Sequence, residues 1–541
     1  MPMISEEQID LIVERLINRI EKANTNLLIK MGKSINKIRK LTPTKAHELV
    51  QMLKYGTNYN DIIKQISKYT DLNIKDIDNI FHEYAKKDQL FYETFYKYRN
   101  IPFIEYANNP ALINQTQALA NMVKNEMYNF TRTNVLGYTI NGKFKPLRET
   151  YNELLDTALL NVGQGKQTFD SALTEIMKQI GGSGLKTLEY ESGRSVRLDS
   201  AVRMHLKGRL RELHNENQKI IADEIDADGY EITVHLFPAP DHAPVQGRQF
   251  SKEEFEKLNN GDMAKDYKGR TYTLDHDAKN GYRPISEMNC YHKIFSVVLG
   301  INKPEYTEKQ LREMEEENNK GFEYEDKHYT MYEGTQLQRM LERRIRNEKD
   351  IQILAKESGN ELLAGQSQNR IRALTNKYKK LNDVSGLKSK TQRMKVSNYK
   401  RSSESTKAYN ESINKYKVGE INIKKYTNKF KTTTNEILFT PKQQKHINGY
   451  TDRTDAIKLI PDIIKNPDHI YIETKRRNTI WLTKKIDDKK SHKVVIKLNT
   501  TSLYQDKELG YKHSVITMHP IKTKTLEKYI GKRTIQIDNK K

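Results

Sequence analysis

The chain has 541 residues, is 36% hydrophobic and carries a net charge of +23, with a mean hydropathy of −0.84. That length predicts two to four domains with room for a sizeable core, and no stretch offers the roughly 18 consecutive apolar residues that a membrane span needs. The single cysteine, Cys290, excludes an internal disulfide and fits synthesis in a reducing cytoplasm, and the start Met1-Pro2-Met3-Ile4-Ser5-Glu6-Glu7 lacks the basic-then-apolar pattern of a signal peptide.

Charge is unevenly placed. Residues 1–369 hold 52 basic and 54 acidic side chains, a net −2, and residues 370–541 hold 41 basic and 16 acidic, a net +25. A near-neutral part followed by a strongly basic one reads either as an interaction module for a polyanion, nucleic acid above all, or as a solvated Lys-rich tail.

In chain order, Ser5 and Gln8 form a capping box ahead of a helix striped by Ile9, Ile12, Val13, Leu16 and Ile20. Helical patterns run to about residue 230, through 151–162 and 195–228. They break near Asn100-Ile101-Pro102, Asn109-Pro110 and Gly181-Gly182-Ser183-Gly184. Residues 1–228 are therefore expected to be a helical scaffold. Residues 229–305 read as a small β- and loop-rich subdomain, with Glu231–Leu236 alternating like a strand before Pro238-Ala239-Pro240. Residues 306–369 return to helix, interrupted by a hairpin over Phe322–Tyr332 and a break at Gly334. Arg339, Arg343 and Arg346 then share one face, which either touches DNA or a portal subunit or pairs with Glu342, Glu348 and Asp350. Residues 370–439 form a basic tether; 370–431 hold 18 basic and 4 acidic residues, a net +14, and few apolar ones, so they read as partly helical, extended or linker. The final domain, 440–541, shows helices first and then four strand-like runs. The expected fold is thus a mainly α body with a small β-containing insert, plus a C-terminal α+β domain with an antiparallel sheet.

A polar turn, Asp241-His242-Ala243-Pro244-Val245-Gln246-Gly247, precedes Asn289-Cys290-Tyr291-His292 by some forty residues. His242, Cys290 and His292, with His276, are ligand types suited to zinc. Paired Cys-x-x-Cys spacing is absent, so the reading taken is a loop-rich subdomain closed by hydrogen bonds, with no metal and no cofactor. These motifs, followed by Phe250-Ser251, resemble the phage minor capsid protein 2 family. So do Tyr329-Thr330-Met331-Tyr332-Glu333-Gly334-Thr335-Gln336-Leu337-Gln338-Arg339 and the later Ser385-Gly386-Leu387-Lys388 with Gln392-Arg393. The likeness covers roughly residues 5–400. Tyr291 stands where the pattern has Arg, and Gly334 where it has Ala. The resemblance implies a virion protein near the portal vertex, related in role to Mu-F-like head morphogenesis proteins, with portal and other capsid proteins as partners and no membrane.

In the last domain, metal-free RNA cleavage would need a base, an acid and cations on the phosphate. His446, His469, His492, His513 and His519 supply the proton-transfer type, and Arg453, Arg477 and Lys484 supply cations. His446-Ile447, Asn466-Pro467-Asp468 and His513-Ser514-Val515-Ile516-Thr517 resemble phage-borne nuclease domains grouped with barnase, EndoU, colicin and RelE-type ribonucleases, over about 440–535. His513 replaces the expected Asn. That resemblance implies His446 as general base or acid, Ser514 and Thr517 orienting phosphate or ribose, and Arg453 or Lys484 as the cation. On residue type alone His446 either catalyses or packs on its helix, Ser514 and Thr517 are ordinary strand residues as readily as catalytic ones, and Lys475, Arg476 and Arg477 form either a nucleic-acid clamp or a solvated turn. The expected protein is a minor capsid protein carrying a ribonuclease-like effector that acts on host RNA, with an immunity protein as partner, found in the virion and in the host cytoplasm. The alternative is a purely structural protein whose basic region binds nucleic acid, including packaged DNA, without cutting it.

Overall fold

Apolar residues at every third or fourth position build the long helices of the N-terminal part. The computed structural model describes residues 6–39, 58–131, 135–147, 149–150, 169–188, 194–274, 283–285, 290–430, 432, 434–448, 456–500, 509 and 511–538. These form two compact units, one of residues 1–358 and 376–399 and the other of 359–375 and 400–541. Ser5 and the 151–162 stretch lie outside the described residues. Among those described, no helix is long and apolar enough to cross a membrane.

In the first unit, α1 (Glu6–Arg39) buries Ile9, Val13, Leu16 and Ile20 of the expected stripe, the Ile12 side chain lying outside the described ones, and packs with α2 (Asn58–Tyr98). Helix α3 (Pro110–Phe130) starts where the sequence breaks. The Asn109 side chain accepts from the Leu112 N–H and Pro110 occupies the first turn. The β1 (Leu136–Ile140) and β2 (Lys143–Pro146) hairpin turns through Asn141 and Gly142, both at positive φ. After α4 (Phe169–Ser183), β3 (Lys186–Leu188) and β4 (Ser195–Arg197) complete a four-stranded sheet in the order β2-β1-β3-β4. That sheet corrects the purely helical reading of 1–228, since strands of three to five residues are too short to show a period.

Helix α5 (Leu198–Glu224) sends Ile221 and Ala222 into the core of the insert. Its amide side chains serve the strand edge beside it. The insert comprises β5 (Gly229–Ile232), β6 (Gln249–Ser251), α6 (Lys252–Asn259), β7 (Ala264–Lys265), β8 (Thr271–Tyr272) and β9 (Ile294–Val297). Its main sheet is ordered β6-β5-β9. Asn215 Oδ1 accepts from the Ile294 N–H at 3.0 Å, Gln218 Oε1 accepts from the Ser296 N–H at 3.3 Å, and His214 bridges Asp88 and the Ile294 carbonyl. An otherwise open edge is closed by side chains.

Helix α7 (Glu308–Lys320) and the expected hairpin, β10 (Phe322–Tyr324) with β11 (Lys327–Tyr329), lead into α8 (Met331–Glu357). Thr330 and Glu333 form a capping box there. Gly334 lies inside the first turn of α8 and is not a break. A Cβ at that position would come 2.6 Å from Phe322 Cε1, so glycine leaves room for the hairpin's ring.

Helix α9 (Glu361–Ser385) places its first residues in the second unit and its last in the first. The second unit continues with α10 (Ser403–Asn414), β12 (Lys417–Glu420), β13 (Glu436–Leu438), α11 (Pro441–Asn448), α12 (Ala456–Lys465), β14 (His469–Glu473), β15 (Thr479–Lys485), β16 (Lys490–Thr500), β17 (Lys512–Lys522), α13 (Thr523–Tyr529) and β18 (Thr534–Gln536). Its seven strands run β12-β13-β17-β16-β15-β14-β18. The α+β class holds; the sheet is mixed, because β13 runs parallel to β17 while the other pairs are antiparallel. Both β12 and β13 come from the stretch read as a tether. Its few apolar residues, Ile421, Ile423 and Ile437 among them, enter the core that α11 and α12 make on one face with Ile447, Ile463, Ile480 and Val515. On the other face lie Tyr471, Trp481, Val495 and Ile521, with Leu526 of α13.

Candidate functional site: a basic pocket beside a histidine and cysteine cluster

Within the first unit, α5, α8, the loop after β5, the segment before β9 and the turn carrying Arg393 enclose a cavity of about 410 Å³. Nine of its lining residues are Arg or Lys and one, Glu342, is acidic. Helix α5 contributes Arg203, Lys207 and Arg211, four residues apart and so on one face. Helix α8 contributes Arg339, Arg343 and Arg346. Some of these cations have partners: Arg203 with Glu14 at 3.1 Å, Lys207 with Asp10 at 2.6 Å, and Arg283 with Asp241. The excess is nonetheless felt at Tyr291. Arg211 lies 4.3 Å from the centre of its ring and Arg339 donates to its hydroxyl at 3.2 Å. Burial pushes the Tyr291 phenol up, but Arg339, Arg393, Lys207 and Arg211 outweigh it and bring the pKa down to about 8.

One wall is the turn around His242. The His242 N–H donates to the Ala239 carbonyl, the Gln246 N–H donates to the His242 carbonyl, and Gly247 has φ +69°. A Cβ on Gly247 would come 2.8 Å from Leu311, so the chain can reverse there only with glycine. The turn brings His242 Nδ1 to 3.4 Å from Cys290 Sγ, which is 3.5 Å from His292 Nδ1. His242 Nε2 lies 2.9 Å from the Arg283 carbonyl, an acceptor only; it therefore carries the proton and leaves Nδ1 bare. All three side chains are 3% exposed or less. Burial, followed by His235, His242 and Arg283, holds His292 well below the usual histidine range. His276, the further ligand type, lies outside the described residues.

Of the C-terminal residues expected to act on RNA, His513, Ser514 and Thr517 lie on β17, Lys484 on β15 and His446 on α11. His446 is exposed on α11 beside the buried Ile447. His513 is fully buried; the Asn499 N–H donates to its Nδ1 at 3.2 Å, and burial, against a weaker opposing pull from the Thr434 backbone, brings its pKa down to about 4. Ser514 is buried and opposite Lys497, whereas Lys484 pairs with His492, which in turn faces Pro520. Six residues of β17 therefore separate the two levels, roughly 20 Å at about 3.3 Å per residue. Lys484 Nζ donates to the Asn466 carbonyl at 2.8 Å, away from Ser514. Thr517 lies opposite Val495, on the Trp481 side of the sheet; Val515 enters the helix-covered core, so its neighbour Ser514 is on the same side as Thr517. Arg453 lies outside the described residues. Lys475, Arg476 and Arg477 occupy the exposed turn between β14 and β15. Trp481 is core, its indole N–H donating to Glu473 at 2.8 Å with Lys493 over its ring.

Sequence reasoning found the α8 stripe and the ligand types but missed the pocket. The signal that could have shown it is Arg203, Lys207 and Arg211 at helical spacing, a second basic stripe in a near-neutral region.

The family described as Phage minor capsid protein 2 matches residues 4–383, a span that contains the helical framework, the insert and all but Arg393 of the pocket's lining residues. Comparison with curated proteins and with solved structures gives no match. With 380 of 541 residues matched and both pocket walls inside the match, the chain belongs to the phage minor capsid protein 2 family and is a structural protein of a phage head.

Proposed function

We propose that this chain sits among the portal and other capsid proteins of the head and grips nucleic-acid phosphates in the basic pocket of its first unit. The carrying observation is the set of nine cations facing a single acid around the cavity. Arginine forks suit phosphate oxygens, and a duplex or single strand supplies phosphates without requiring a particular sequence. The basic residues of the second unit would add sequence-independent attraction.

Titrating labelled DNA with the full chain at several salt concentrations tests this reading. Substituting Arg339→Gln together with Arg393→Gln is expected to weaken binding and flatten the slope of log affinity against log salt by about one to two. Unchanged affinity and slope would remove the pocket from the interface. The ribonuclease reading of residues 440–541 makes a separate demand: the full chain must cleave RNA in the presence of EDTA and lose that cleavage in His446→Ala. With His446 exposed on a helix and Lys484 roughly 20 Å along the sheet from Ser514, binding without cleavage is the expected result.

A further inference from the structure

We propose that His242, Cys290 and His292 bind a zinc ion, leaving the fourth coordination position, which borders the basic pocket, to a solvent oxygen. This goes beyond the nucleic-acid reading and stands without it.

The three donor atoms lie within 4.8 Å of one another. A tetrahedral zinc with sulfur at about 2.3 Å and nitrogen at about 2.0–2.1 Å places those donors about 3.6 Å apart. Cys290 Sγ lies 3.4 Å from His242 Nδ1 and 3.5 Å from His292 Nδ1, so two of the three edges joining those donors are already set. Ordinary packing around a buried thiol does not require two imidazole nitrogens aimed at it from residues 50 apart in sequence.

The surroundings prepare the nitrogens. The Arg283 carbonyl takes the Nε2 proton of His242 and so presents the Nδ1 lone pair to the centre of the cluster. On the other imidazole, His292 Nε2 lies 3.4 Å from Gln246 Oε1, which can accept its proton and present Nδ1 in the same way. A thiolate with two imidazoles is a donor set that suits zinc among common divalent ions. On binding, the Cys290 thiol gives its proton to solvent and the sulfur–zinc bond forms, with no change of oxidation state. Asp241 pairs with Arg283 and does not compete for the site.

Because Cys290 is the only cysteine in the chain, a thiolate signal can be assigned without a variant. The full-length chain is stripped with a chelator and titrated with cobalt(II) as a spectroscopic substitute for zinc. One equivalent is expected to give the strong visible absorption of a tetrahedral site together with a sulfur-to-metal charge-transfer band. A thiol reagent should modify Cys290 in the stripped chain and be blocked when zinc is added first. Gln246→Ala should weaken zinc binding by about 10- to 100-fold, and Cys290→Ser should abolish the charge-transfer band. Cobalt binding without that band, or equal Cys290 reactivity with and without zinc, would overturn the assignment, and both readouts use the unaltered chain.

Discussion

Arg197 shows how much one side chain can carry in this protein. Its guanidinium donates to Asp350 at 2.8 Å, to Asn347 at 2.9 Å and to Asp199 at 3.0 Å, and lies 3.4 Å from Glu21. Arg346 pairs with Asp199 from the other side. Burial raises the Glu21 and Asp350 carboxyls above the ordinary range, the expected cost of three carboxylates in one dry place. Burial and the nearness of Arg197 bring Arg346 down to about 10. Removing a partner from such a cluster costs more than the cluster itself contributes, since an unpaired charge stays buried. Arg197→Ala is therefore expected to lower stability by about 3–5 kcal/mol, read as a shift of the urea midpoint. A second residue-scale prediction concerns pH. His513 has an unfolded pKa of about 6.5 and a folded one of about 4. Between those values the unfolded chain binds the extra proton, so stability is full above pH 6.5 and falls as pH drops toward 4. Going from pH 7.5 to 5 should cost the second unit about 2 kcal/mol through this group. His513→Asn, which cannot titrate, should flatten that part of the pH profile of unfolding; an identical profile would remove His513 as its source.

At the scale of elements, helix α4 meets α8 through glycine. A Cβ on Gly181 would come 2.7 Å from the Ile351 Cα and backbone nitrogen, and Gly184, at φ +64°, would press on Arg197. In an isolated helix Gly181→Ala would gain about 1 kcal/mol from propensity. In the folded chain the backbone of α8 must move, and overpacking of this kind costs about 1–3 kcal/mol. The substitution should therefore destabilise the protein while raising the helicity of a peptide spanning α4, a pair of signs that thermal unfolding and circular dichroism can check. The four glycine and serine positions are readable as a helix end, but the helix they admit is not, because nothing local in residues 181–184 refers to Ile351. The same holds for the stretch from β12 through β13. Its composition looks like linker because Ile421, Ile423, Ile437 and Phe439 make no core by themselves; they complete one whose other members start at Ile447.

At the scale of the whole molecule, two sources of positive charge differ in kind. The net +25 of residues 370–541 is a compositional excess, whereas the pocket lies in a near-neutral region and owes its potential to convergence. Sequence-independent binding should follow the first, and its affinity should fall steeply with salt. The pocket double variant should therefore remove part of the salt slope and leave the larger part in place, whereas loss of the whole slope would place all contact in the pocket. The family match fits this division, covering 4–383 and so the pocket walls, and ending before most of the basic excess.

Helix periods, caps, the Phe322–Tyr332 hairpin, the charge partition and the identities of His242, Cys290 and His292 were all determined by the sequence, because each rests on chemistry within a few neighbouring residues. Tertiary structure decided which of them meet. Lys207, Arg211, Tyr291, Arg339 and Arg393 surround one cavity, and two imidazoles aim at one thiol, because Gly247 lets the chain reverse and the polar side chains of α5 hold β9 in place. Conversely, Lys484 and Ser514, both expected in a ribonuclease site, share a sheet but lie six residues of β17 apart, since strand register sets spacing along a strand and composition does not.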